Sequence, residues 1–140
     1  MRSIARLESP ALLENLPRFI AVVSDAARAE GLGPQKTGSV ELAVEEAVTN
    51  ICKFAGQGTP VSIELSCLAD GVMLAVEIAD DGRPFDLTAR PDPDLTARLE
   101  DRPIGGLGVF LIKKVSDRVA YERRGERNVL RLEFRRPAGA

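Results

Sequence analysis

The stretch "PVSIELSCLADGVMLAVEIAD", residues 60–80, decides how the fold is read. Two strand-like runs, residues 60–69 and 72–80, are joined by Asp70-Gly71. Asp-Gly between two such runs is a strong hairpin signal, since the tight turn needs residues that accept positive φ. A second hairpin follows near the C-terminus, with strands over about 118–124 and 128–135. In its second strand Leu130, Leu132 and Phe134 point one way, while Arg131, Glu133 and Arg135 point the other. Upstream, "RSIARLE" (residues 2–8) reads as an edge strand carrying Ile4 and Leu7. From Pro10 the pattern turns helical. Leu12, Leu13, Leu16, Phe19, Ile20, Val23 and Ala27 recur at three- and four-residue spacings, and Gly31 serves as C-cap. A second helix is expected from about Thr37 to Ala55. Val40, Ala43, Ala47, Ile51 and Ala55 form its buried stripe, and Gly56 and Gly58 stop it. A third opens at "GGLG" (105–108) and runs to about Ser116.

Strand, two helices, hairpin, loop, helix, hairpin is the order of a two-layer α/β (α+β) sandwich. Its sheet is expected to be mixed and mostly antiparallel, with the helices on one face. One domain over residues 1–140 suits the length. The apolar share of 44% is enough for a single core, but only 4% is aromatic, so that core must be mostly Val, Leu, Ile and Ala. A net charge of −2 argues against a nucleic-acid binder. No stretch reads as a signal peptide or a membrane span, so a soluble, cytoplasmic protein is expected. Cys52 and Cys67 have neither metal spacing nor a disulfide-rich pattern, and both read as free packing thiols. The histidine count is zero. That excludes a Ser-His-Asp triad, a His-ligated zinc and a phospho-accepting histidine.

Three polar features remain. Glu46 and Asn50 sit at i and i+4 on the second helix and share a face. An amide oxygen ligates Mg²⁺, and a carboxylate one turn away accepts a proton; equally, such a pair decorates many solvated helix faces. "ADDGRPF" (79–85) ends a strand in Asp80 and Gly82. It is either ordinary turn chemistry or a carboxylate that reads an exocyclic amine, with Gly82 admitting a base close to the backbone. "PIGGLGVFLIKKVSD" (103–117) joins three glycines to a helix start. That is either a flexible connection or a phosphate site built from backbone N–H groups. Between the last two lies a polar stretch, residues 86–104, with three prolines, five acids and the pentapeptide "DLTAR" written twice. A loop of that length is usually functional or mobile.

Taken together and in this order, "EEAVTN", "DDGRPF" and "GGLGVFLI" resemble the boxes of the Bergerat-fold ATP-binding domains, the gyrase, histidine-kinase and MutL group. Within it the chain is most similar to the stand-alone anti-sigma-factor serine kinases of the RsbW/SpoIIAB type, over roughly residues 10–135. The resemblance implies ATP and Mg²⁺ as cofactors. Asn50 would hold the metal, Glu46 would act as general base, and Asp80 with Gly82 would bind adenine. Gly105, Gly106, Leu107 and Gly108 would form the phosphate loop, and residues 86–104 the lid. It further implies transfer to a Ser or Thr of a small antagonist protein, a sigma factor as possible second partner, and a homodimer paired through the strand near residues 2–8. The alternative is a nucleotide-sensing module that sequesters a partner without phosphotransfer. The chain departs from the pattern at Pro84, where a second glycine is usual, and at Phe54, where many members carry His. Lys53 either touches a phosphate or is solvated, and the seven arginines between Arg118 and Arg136 either meet an acidic partner or line a solvated strand face. Phe85 is expected to pack under the lid.

Overall fold

A computed structural model describes residues 1–55, 60–89 and 106–138. In chain order the elements are β1 (Arg2–Pro10), α1 (Leu16–Ala29), α2 (Gly33–Phe54), β2 (Ser62–Ala69), β3 (Met73–Asp80), α3 (Gly106–Val115), β4 (Arg118–Arg124) and β5 (Arg127–Arg135). The strands form one sheet in the order β1-β2-β3-β5-β4. Every pairing among them is antiparallel, which narrows the expected mixed sheet to an antiparallel one. Two hairpins supply two of the four pairings, and no crossover helix of the kind parallel strands require intervenes there.

Alternation places the core. Ile63, Leu65 and Cys67 of β2, Leu74, Val76 and Ile78 of β3, and Leu130, Leu132 and Phe134 of β5 are buried on the face covered by the helices. Phe19, Val23 and Ala27 of α1, Val40, Ala43, Val44, Ala47, Val48 and Ile51 of α2, and Val109 and Ile112 of α3 meet them there. The opposite face carries ion pairs: Glu64 lies between Arg6 and Arg127, and Arg131 between Glu77 and Glu133. Arg127 and Arg131 therefore serve the sheet's outer surface. At the β2–β3 turn Gly71 has φ of 88°, and Asp70 Oδ1 accepts from the N–H groups of Val72 and Met73, at 2.9 Å each. These bonds hold the Asp70 carboxyl below its ordinary range.

Two boundaries differ from expectation. β1 continues to Pro10, which pairs with Ser62, so the chain is still strand where the helical pattern was expected to begin. Leu12 and Leu13, 49% and 56% exposed, precede α1 and take no part in its buried face. The neighbouring strand overrode a helical spacing that is real only from Leu16 onward. α2 starts four residues before Thr37. Gly31, at φ of 72°, ends α1 as anticipated, with Leu32 N–H donating to Ala27 O at 3.1 Å. Pro34 then falls in the first turn of α2, where a missing N–H costs nothing.

Candidate functional site

The expected stripe of α2 is buried, and Glu46 and Asn50 lie beside it. Asn50 is only 4% exposed. Its Nδ2 donates to Glu46 O at 2.8 Å, the backbone carbonyl one turn back. The amide donor is thus used inside the helix, and Oδ1 has no hydrogen-bond partner among the described residues. Glu46 is half-buried. Burial raises its carboxyl above the ordinary range, Glu45 adds to the rise, and Lys53 opposes it. The start of α3 sits directly on the pair: a Cβ added at Gly108 would lie 2.7 Å from Glu46 Oε2 and 3.4 Å from Asn50 Nδ2. The carboxylate and amide therefore face a helix N-terminus, where backbone N–H groups and the helix dipole favour an anion.

Ala55, the C-cap of α2, follows Asn50 by five residues, about 7.5 Å along the axis. There the helix end meets the Asp80 loop. Asp80 is 3% exposed and ends the inward-facing row of β3. Its Oδ1 accepts from Gly82 N–H and from Asn128 Nδ2, both at 3.0 Å, and no described residue occupies Oδ2. Burial raises this carboxyl, and the two hydrogen bonds pull it back down. Asn128, which sequence reasoning did not single out, is the directly opposed residue on β5. It is 4% exposed. Its Nδ2 also donates to Arg83 O at 2.8 Å. Its Oδ1 accepts from Phe85 N–H, Tyr121 OH and Arg123 Nη1 at 3.1, 2.6 and 3.2 Å. A signal existed: Asn128 shares the parity of Leu130, Leu132 and Phe134, and an amide in an otherwise apolar row needs partners.

Gly82 is required by the protein itself. A Cβ there would lie 2.6 Å from Ala55 O and 2.7 Å from Ala55 Cβ, so the end of α2 approaches this backbone closely. Arg83 completes the clasp, with its N–H on Ala55 O at 3.1 Å and its Nε on Phe54 O at 2.9 Å. A cation on the last carbonyls of a helix complements the dipole. Phe85, expected under the lid, stacks on Phe54 with ring centroids 5.6 Å apart. Of the expected lid, residues 86–89 are described. Leu87 is buried in a single 3₁₀ turn, Asp86 Oδ1 accepts from Thr88 N–H and Oγ1–H, and Lys113 Nζ reaches Thr88 O at 3.3 Å. The remainder of the lid, Gly105 and the Leu107 side chain lie outside the described residues. Lys53 is exposed in the last turn of α2.

Among the described residues no three His, Cys, Asp or Glu side chains cluster to hold a metal. The donor set offered is one neutral oxygen, Asn50 Oδ1. That suits Mg²⁺, which keeps several waters and draws its remaining ligands from substrate phosphates.

The profile of the histidine kinase-like ATPase domain matches residues 9–134. The chain belongs to that family. Serine-protein kinase RsbW of Listeria monocytogenes is 32% identical over 120 residues, 81% of this chain and 75% of the relative. Serine/threonine-protein kinase BtrW of Bordetella bronchiseptica is 32% identical over 95 residues, 67% of each. Within the histidine kinase-like ATPase family the chain is thus an ATP-dependent protein serine/threonine kinase of the RsbW type. A chain in the crystal structure of the SiaB–SiaC complex from Pseudomonas aeruginosa shares the fold, with TM-score 0.57 and 16% identity over 96% of this chain and 91% of that one. No described helix is long and apolar enough to cross a membrane.

Proposed function

We propose that this cytoplasmic protein transfers the γ-phosphoryl group of ATP to a serine or threonine of a small antagonist protein, and that it holds a regulator, a sigma factor or a protein of similar role, which the unphosphorylated antagonist displaces. The observation that carries the proposal is the meeting of Glu46, Asn50 and the glycine start of α3 at one point, with the Asp80 loop at the end of the same helix. The partnership with an antagonist is supported by the relatives' names and by the fold shared with a chain of the SiaB–SiaC complex. A homodimer joined through the exposed edge of β1 accompanies the proposal.

Asp80 Oδ2, an acceptor with no described partner, would take a hydrogen bond from the exocyclic amine of adenine, beside Gly82. The N–H groups of Gly105, Gly106, Leu107 and Gly108 would receive the phosphates. Mg²⁺ on Asn50 Oδ1, when bound, neutralises phosphate charge. Glu46 would take the proton as the partner's hydroxyl oxygen attacks the γ-phosphorus, while the bond to the β,γ-bridging oxygen breaks and ADP leaves. Phosphoryl transfer of this kind depends on positioning and charge more than on covalent chemistry.

The test is labelling of a candidate antagonist by purified protein with ATP and Mg²⁺, beside calorimetric measurement of ATP affinity. Glu46→Gln should bind ATP normally and transfer about 10²- to 10⁴-fold more slowly. Normal transfer by this variant refutes the base. ATP binding by wild type with no labelled antagonist leaves the sequestering module in its place.

A further inference from the structure

Gly108 stands in the phosphate loop that the resemblance implies, and three observations give it a further task. It lies inside α3, where alanine is the better helix former. Its backbone is outside the left-handed region, so no conformational demand selects glycine. What an added methyl would meet is Glu46 Oε2 at 2.7 Å, then Asn50 Nδ2 at 3.4 Å. Contacts that short do not occur for real Cβ atoms, so something must move. The atom in the way is the far end of a flexible side chain, so the methyl would displace the carboxylate and leave the helix in place.

We propose that Gly108 is a positioning residue for Glu46: its missing side chain is the space in which the carboxylate stands against the start of α3. This rests on the reading of Glu46 as the proton acceptor. The carboxylate is half-buried, so the volume left to it by α3 governs both where it points and how much water it keeps.

Gly108→Ala separates this role from phosphate binding, because alanine keeps the backbone N–H that a phosphate would use. In calorimetry with Mg²⁺ the variant should lose far less ATP affinity than transfer rate. Its transfer to antagonist should fall about 100-fold, a loss that moving a reacting group by roughly an ångström can bring. Glu46→Asp, one methylene shorter, vacates the contested space. In a double-mutant cycle the penalty of Gly108→Ala should therefore shrink at least several-fold in the Asp background, a coupling that a purely structural role for Gly108 does not produce. Loss of ATP affinity in proportion to rate overturns the proposal in favour of a phosphate contact. Unchanged transfer with Glu46→Gln inactive also overturns it while sparing the base. Normal transfer by Glu46→Gln removes the base reading and this proposal together.

Discussion

The two ends of the site are held by opposite means. Around Asp80, Asn128 alone makes five hydrogen bonds, reaching β3, the loop at Arg83 and Phe85, and β4 through Tyr121 and Arg123. Around Glu46, one internal bond fixes Asn50, and shape does the rest: a glycine of α3 leaves room for a carboxylate that no described hydrogen bond restrains. A group that recognises a rigid base gains from a rigid acceptor, whereas a group that must take a proton needs an atom free to receive it. Buried polar residues of one site are thus stabilised by different means.

The comparison breaks most readily at Asn128. Asn128→Ala takes one partner each from Asp80 Oδ1, which is buried, and from Arg83 O and the Tyr121 hydroxyl, whose bonds are part-buried. Chemical denaturation should report a loss of about 3 kcal/mol, with ATP affinity falling alongside. If stability is unchanged, the hydrogen-bonded end is no more restrained than the other. Gly82→Ala comes next. The clash is with backbone at Ala55, which cannot swing away, so roughly 2 kcal/mol should be lost. Here the contrast with Gly108 is direct: the same substitution costs stability where backbone stands in the way and rate where a side chain does. Arg83→Ala, which uncaps the end of α2, should cost about 1 kcal/mol in the same assay.

The smallest effect sharpens the Glu46 end. Its carboxyl is raised in the fold, so the charged form is disfavoured there. Such a group contributes its stability below the ordinary carboxylate pKa and loses it as pH rises through the raised value. Glu46→Gln should therefore match or slightly exceed wild type at neutral pH, by a fraction of a kcal/mol given partial solvent screening. The gap should close in acid. A clear destabilisation at neutral pH would mean that the carboxylate is held by partners after all.

Much of this was legible in residue order. The Asp70-Gly71 hairpin, the last two strands, the α2 stripe and the Gly31 stop stand where local pattern put them. The failures share one cause. Pro10 through Leu13 carry a helical spacing, but β2 recruits the chain as far as Pro10. Asn128 has no motif around it and becomes a hub only because β3 and β5 pair in the register that sets it opposite Asp80. Gly82 also makes room for Ala55, a demand set by how the end of α2 seats against the Asp80 loop.

The sequence by itself determined the alternation, the turns, the helix stripes and the chemical inventory, including the absence of histidine, because each follows from a residue and its near neighbours. Only the tertiary structure decided which polar groups meet: Asp80 with Asn128, Gly82 with Ala55, Gly108 with Glu46. Those meetings depend on strand register and on how helices seat against one another. Both are settled by contacts summed over residues far apart in the chain, so no local stretch encodes them.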